Sequence, residues 1–365
     1  MDWFEYSQML QDKCKQKEIP YSATFELTPF CNFCCNMCYI RLDSKQAAEQ
    51  GKLLTTEQWK QIADETKKLG VLLLEVTGGE AVTRSDFDSL YNYFIEKGFI
   101  ITLRTNGYLI NDSKIELLRK KKPFRVSITL YGASDETYWK ICGIKDGFTT
   151  VSRNIIALRD AGIPVRLTAT ITKDNVVDLE RMEMWAKENG FSLGVFGMLF
   201  TPIRGAKRSV EHLRIESVDY GFTEELRYIS REIHNRDKYM NPFWMCQNFG
   251  SKFTITWDGK MSMCNINPMV LKNPFDNNLE MAYRDLLDDL KKVKRSKECE
   301  TCNLIDYCTA CPAMIYSTTG SVERVNNSVC KKAYRVYLDH TTFMNENNEK
   351  LQHINNCEGE IYYES

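Results

Sequence analysis

Thr55-Thr-Glu-Gln-Trp-Lys-Gln-Ile-Ala-Asp-Glu-Thr-Lys-Lys-Leu-Gly70 runs directly into Val71-Leu-Leu-Leu-Glu-Val76, and this pair decides the fold class. Thr55 and Thr56 ahead of Glu57 and Trp59 form a helix start, and Gly70 is a stop. The branched apolar run that follows is a buried strand. The same rhythm extends in both directions. Strands are expected at Thr24–Leu27, Val71–Val76, Phe99–Arg104, Phe124–Leu130, Val165–Ile171 and Phe191–Leu199. Helices are expected near Thr56–Leu69, Ser85–Lys97, Ser113–Lys121, Thr149–Asp160 and Val177–Glu188. Strand–helix alternation of this kind builds a parallel α/β sheet. Six units predict a partial (β/α)6 TIM-like barrel over residues 23–200, since eight units need about 250 residues. An N-terminal segment, 1–22, precedes it.

Beyond Leu199 the rhythm breaks. Residues 201–240 read as a bridging loop with Pro202, Gly205 and basic residues, followed by a helix at Ser217–Asn235. Residues 241–334 read as a small, irregular, Cys-rich domain held together by metal, and 335–365 as a tail rich in Asn and Glu. The 48 basic and 49 acidic residues nearly cancel, so no overall field attracts nucleic acid or an anionic membrane. No apolar run approaches the roughly 20 residues of a membrane span. Met1-Asp-Trp-Phe-Glu-Tyr does not read as a secretory signal, so the expected compartment is the reducing cytoplasm.

There, fourteen cysteines in tight groups point to metal ligation rather than disulfides. Cys31, Cys34, Cys35 and Cys38 follow the first strand, at the end of a barrel where active sites sit. Because Cys34 and Cys35 are adjacent, the ligand set is either 31/35/38 or 31/34/38. Thiolates suit iron–sulfur clusters, and three of them leave one iron of a four-iron cube open. A zinc loop is the rival reading.

The spacing C-x3-C-x2-C followed by an aromatic resembles the signature of the radical SAM superfamily, which selects Cys31, Cys35 and Cys38 with Tyr39 and leaves Cys34 over. The resemblance implies a 4Fe-4S cluster whose open iron takes S-adenosylmethionine (SAM), reductive cleavage to a 5′-deoxyadenosyl radical, and hydrogen abstraction from a substrate. It further implies that Gly78, Gly79 and Glu80 hold the SAM amino group, and that Asn106 lies in a polar turn near the ribose. Thr129, sharing a face with Ser127, would contact SAM. Arg166, sharing a face with Thr168 and Thr170, is the candidate for its carboxylate.

Downstream, Cys246, Gly259-x4-Cys264, Cys299-x2-Cys302-x5-Cys308-x2-Cys311 and Cys330 resemble the SPASM extension of peptide-modifying radical SAM enzymes. That resemblance implies one auxiliary cluster on Cys299, Cys302, Cys308 and Cys330, and another on Cys246, Cys264 and Cys311. The gap between Cys308 and Cys311 is one residue shorter than the family's usual gap.

The function expected is a peptide maturase that forms a thioether or carbon-linked crosslink. Its partners would be a peptide or protein substrate, a flavodoxin- or ferredoxin-type electron donor, and a separate leader-binding protein. A peptide epimerase is the first alternative, with Cys142 as candidate hydrogen donor and Cys14, Cys34 and Cys357 behind it. A sulfatase-maturing enzyme is the second. It is weakened because Asn265 stands where that group carries an Asp base, and an amide accepts no proton at neutral pH. A zinc-stabilised binding module and an electron-transfer protein represent other classes. Basic runs at Arg119–Lys122 and Lys291–Lys297 read as solvated helix faces.

Overall fold

The computed structural model of the chain describes residues 3–197, 199–202, 209–215, 242–243, 246, 248–308, 311–324, 329–331 and 333–338. The chain divides into two compact units. The first is Met1–Glu216 together with Cys246–Lys292, and the second is Ser217–Met245 together with Val293–Ser365.

The first unit is built on β1 (Ser22–Glu26), β2 (Leu73–Thr77), β3 (Ile100–Thr105), β4 (Arg125–Leu130), β5 (Val165–Thr170), β6 (Leu193–Phe196), β7 (Lys252–Ile255) and β8 (Met261–Ser262). They form one sheet in the order β6-β5-β4-β3-β2-β1-β7-β8. Strands β1 to β7 run parallel, and only β8 is antiparallel, on β7. The helices are α1 (Trp3–Lys17), α2 (Ser44–Gln50), α3 (Thr56–Lys68), α4 (Phe87–Glu96), α5 (Asp112–Lys120), α6 (Asp135–Cys142), α7 (Gly147–Asp160), α8 (Leu179–Glu188) and α9 (Leu279–Lys291).

All six expected strands of the α/β barrel are present, each in register with its neighbour. The expected helices stand between them. Helix α3 starts on a capping box in which the Thr55 hydroxyl accepts from the Gln58 amide and the Gln58 side chain accepts from the Thr55 amide. Phe25 on β1 packs against Trp59 of α3 and Phe94 of α4, at 5.2 and 5.5 Å between ring centroids. Ala23, Phe25, Leu74, Val76, Ile101, Leu103, Val126, Ile128, Leu167 and Ala169 are fully buried on this helix-covered face.

The expectation that 241–334 stands apart as one small domain is corrected. Within it, β7 pairs with β1 from Ser22↔Lys252 to Phe25↔Ile255, so the segment extends the barrel sheet. Helix α9 buries Leu279, Ala282, Tyr283, Leu286, Leu287 and Leu290 and belongs to the same unit. The helix expected at Ser217–Asn235 and everything beyond residue 338 lie outside the described residues.

The second unit contains α10 (Lys297–Glu300) and α11 (Pro312–Thr319). Proline at the start of α11 and left-handed Gly320 (φ 75°) at its end are its start and stop. Among its described residues, the buried apolar ones include Phe243, Ile305, Ala313, Val322, Val329, Ala333 and Val336. Among the described residues, no helix is long and apolar enough to cross a membrane. The basic run at 119–122 is a solvated face, with Arg119 and Lys120 paired to Glu116, and Lys121 to Glu96.

Candidate active site at the carboxyl ends of the strands

The cysteine loop leaves β1 at a fixed point. Leu27 donates its amide to the Thr77 carbonyl at 2.8 Å, and Arg84 donates to the Leu27 carbonyl at 2.9 Å and the Leu54 carbonyl at 3.2 Å. The Gly78-Gly79-Glu80 turn lies against the same loop, Gly79 N on Thr28 O at 2.7 Å and Glu80 N on Phe30 O at 2.8 Å. A β-carbon at Gly79 would stand 2.3 Å from the Phe30 carbonyl oxygen, and one at Gly78 2.6 Å from that of Thr28. The glycines therefore serve a close approach of backbone to backbone, a use that the sequence reading had given to a ligand.

Glu80 is buried and joins three strand ends. Its carboxylate accepts from the amides of Val82 and Asn106 and from the Thr105 hydroxyl, at 3.2, 2.7 and 2.9 Å. Burial pushes its pKa up, against those donors. With the carboxylate so engaged, an amino group would meet it only through its remaining lone pairs.

Two of the three expected cluster sulfurs have amides aimed at them. Cys31 Sγ accepts from Phe33 N at 3.3 Å and lies 3.7 Å from the donating Asn106 Nδ2, while Cys38 Sγ accepts from Arg41 N at 3.3 Å. Asn32 Nδ2 is buried with no hydrogen-bond partner. Such donors match thiolates rather than neutral thiols. Burial, reinforced by Glu80, Cys35 and Cys38 and opposed by the Phe33 amide, pushes the Cys31 thiol up to about 12, so a thiolate here needs a metal's positive charge beside it. This donor set fits an iron–sulfur cluster. Behind the loop, Phe33 is buried edge-on against Tyr108, Tyr131 and Tyr138. That aromatic wall, which the sequence reading missed, keeps water from the loop's far side.

Cys34 is exposed. Cys142, expected as a candidate hydrogen donor, is fully buried at the end of α6 and hydrogen-bonded sulfur to sulfur with Cys35 at 3.5 Å.

The barrel's other face is polar, which is unusual for a parallel sheet. In register across it stand Glu26 and Thr77, then Arg104, Ser127 and Arg166 on neighbouring strands. Glu75 accepts from Arg104 through two nitrogens, from Lys252 at 2.8 Å and from Thr24 at 3.1 Å. Burial opposes the Glu75 charge, but Lys252 and Arg104 outweigh it and hold the carboxyl far below the usual range. Burial, then Arg166 and Arg104, lower the Arg125 pKa, so positive charge is in excess here. Arg166 is exposed. Thr129 and Thr168 face each other, hydroxyl to hydroxyl at 3.4 Å.

The β7–β8 hairpin brings a downstream residue to the first cysteine loop: Asn265 Nδ2 donates to Tyr39 Oη at 2.9 Å. Cys264, one residue before it, is buried, and Cys246 is half-buried. Of the remaining cysteines, Cys302 Sγ accepts from Leu304 N at 3.4 Å, and Cys299 Sγ accepts from the Ser296 hydroxyl at 3.6 Å. Cys308 and Cys311 are half-buried, and Cys330 is exposed. Cys246 and Cys264 fall in the first unit, and Cys299, Cys302, Cys308, Cys311 and Cys330 in the second. Among the described residues, no three Cys, His, Asp or Glu side chains converge as ligands of a single metal ion. A four-iron cube binds each thiolate to a different iron, so its ligands stand apart.

The family model of the radical SAM superfamily matches residues 25–187, from β1 to the end of α8. Residues 25–187 are a radical SAM domain. An AdoMet-dependent heme synthase of Methanosarcina barkeri is 32% identical over 171 residues, which are 47% of this chain and 48% of that protein. AlbA of Bacillus subtilis, an antilisterial bacteriocin subtilosin biosynthesis protein, is 31% identical over 173 residues, 47% of this chain and 38% of AlbA. The chain thus spans less than half the length of either relative. Two crystal structures of Streptococcus suis SuiB, one bound to S-adenosylmethionine and one to the precursor peptide SuiA, share its fold with a TM-score of 0.62. Each is 19% identical, and the match covers 88% of this chain and 78% and 79% of those chains.

Proposed function

We propose that this radical SAM enzyme matures a ribosomally made peptide, abstracting hydrogen from one of its residues and joining that residue through a thioether or carbon bond. The β7–β8 hairpin carries this reading. It lies outside the matched 25–187, yet it continues the barrel sheet and sets Asn265 on Tyr39, next to Cys38. A cysteine-bearing segment built into the barrel in this way supports an enlarged site with auxiliary clusters, suited to a long substrate. SuiB bound to its precursor peptide and the bacteriocin relative AlbA support the same substrate class.

In this reading Cys31, Cys35 and Cys38 hold the 4Fe-4S cluster that binds SAM. Cys299, Cys302, Cys308 and Cys330 hold one auxiliary cluster, and Cys246, Cys264 and Cys311 another. The bound cluster and SAM supply the radical chemistry. The chain's own residues position and shield it. Asn106 donates to Cys31, and the 78–80 turn fixes the loop. Tyr39 and Thr129 would contact SAM, and Arg166 would offer a cation to a carboxylate. An acidic electron carrier of the flavodoxin or ferredoxin type delivers electrons, and a separate protein grips the peptide leader.

The test is to incubate the anaerobic enzyme, SAM and reductant with short Cys-rich peptides encoded beside its gene, and to weigh the products. A crosslink removes two hydrogen atoms, one to the deoxyadenosyl group and one as a proton whose electron would pass to an auxiliary cluster. Retained mass with deuterium uptake from heavy water would indicate epimerisation instead. Conversion of a sulfatase cysteine or serine to an aldehyde would overturn the proposal. A second reading, a small carboxylated substrate, is favoured by the heme synthase relative and by the excess positive charge at Arg125 and Arg166. Turnover of such a molecule, with every peptide unchanged, would establish it.

A further inference from the structure

Helix α6 ends against the cysteine loop. The last carbonyls of a helix have no partner within it. Here two near that end are taken by the loop: Cys34 N donates to the Cys142 carbonyl and Asn36 N to the Ile141 carbonyl, both at 2.9 Å. These bonds bracket Cys35. Gly143 in the left-handed conformation (φ 71°) ends the helix, and a β-carbon there would stand 3.6 Å from the Cys34 β-carbon. Asn36 is also tied through Nδ2 to Asp174 at 2.9 Å. The residue at the centre of this clamp is Cys142, whose sulfur is 3.5 Å from that of Cys35, with both buried.

A ligating Cys35 has given up its proton and accepts only. With both sulfurs protonated Cys35 donates to Cys142; once Cys35 ligates, the proton left between the two sulfurs is that of Cys142. We propose that Cys142 is a positioning residue for the cluster: its S–H donates to the Cys35 thiolate, and α6 holds the pair together. A hydrogen bond to a cluster sulfur favours the reduced, more negative state and raises the potential. The inference rests on the reading that Cys31, Cys35 and Cys38 hold a cluster. Cys31 and Cys38 take backbone amides, and at Cys35 the Cys142 thiol joins Tyr131 and the residue's own amide as donors.

The test compares the wild type with Cys142→Ala and Cys142→Ser, each reconstituted anaerobically as the full chain. The potential is followed on the electron-paramagnetic signal that changes when SAM is added, which singles out this cluster from the others. Cys142→Ala is expected to titrate at lower potential than the wild type at equal iron content. Cys142→Ser keeps a donor and is expected to lie between them. If Cys142→Ala fails to hold iron, Cys142→Ser with wild-type iron supports the inference, and an iron-poor Cys142→Ser overturns it. Equal potentials in wild type and Cys142→Ala overturn it, as does a Cys142→Ser as far displaced as the alanine variant, which would mean packing alone. A wild type with no SAM-responsive signal fails the cluster reading itself.

Discussion

Gly79 has no room for a side chain, and Gly70 has. At Gly79 a β-carbon meets the Phe30 carbonyl carbon and oxygen at 2.7 and 2.3 Å, which are backbone atoms that cannot turn aside. Gly70 is left-handed (φ 88°) with open space around it. Gly79→Ala is therefore expected to lower stability by about 3 kcal/mol or more through overpacking and to displace the cysteine loop. Gly70→Ala is expected to lose only about 1 kcal/mol from its conformation. Thermal unfolding of both variants checks this, with iron content as a second readout that only Gly79→Ala changes. At this scale the rare chemistry was legible. The C-x3-C-x2-C spacing, Glu80 and Asn106 stand together in the structure because their turns follow successive strands. The role of Cys142 was not legible, since its contact with Cys35 spans 107 positions and nothing in its neighbours announces it. The same holds for Glu75, whose partners Arg104 and Lys252 come from two other strands, although a carboxylate inside an apolar strand is itself a signal.

The strand faces make testable elements. Glu75 ties β2 to β3 and β7 and, through Thr24, to β1. Its carboxyl is depressed in the folded protein, so its stabilisation is complete above the unfolded carboxylate range, near pH 4.3, and is lost as pH falls below that. Glu75→Gln is expected to be less stable by on the order of 2–3 kcal/mol at pH 7, because it leaves Arg104 and Lys252 without their anion. The gap to the wild type narrows progressively below about pH 4 in denaturant titrations. For α6, Ser134 caps the first turn by accepting from Thr137 N at 3.2 Å. Ser134→Ala is expected to cost about 1 kcal/mol. A capping loss of that size leaves the end of α6 on the cysteine loop, so iron content is expected to be unchanged. The six barrel strands were legible because each is a continuous branched apolar run closed by a turn. The hairpin β7–β8 was not, because Lys252-Phe-Thr-Ile255 is short and its partner β1 lies far back in the chain. Helix α9 carried a readable signal, apolar residues at 279, 282, 283, 286, 287 and 290, hidden among the surrounding cysteines.

At the scale of the whole molecule, the two cysteine groups make different demands. The first unit has a large core around its sheet, while among the described residues of the second fewer apolar side chains are buried. Small units of that kind take much of their stability from metal. Replacing Cys299 and Cys302 by Ser is expected to remove about four of roughly twelve irons per chain and to make the second unit sensitive to proteolysis. The first unit's SAM-responsive signal is expected to remain. That outcome is checked by iron analysis and limited digestion. The central claim is that the loop at Cys31, Cys35 and Cys38 cleaves SAM by reduction. The most direct measurement is 5′-deoxyadenosine formed by the anaerobic, iron-loaded chain with SAM and a reductant. The account predicts brown protein that forms deoxyadenosine with methionine, and a Cys31→Ala, Cys35→Ala, Cys38→Ala variant that forms neither while its downstream cysteines still bind iron. Colourless protein holding zinc, with no deoxyadenosine in the wild type, would contradict it.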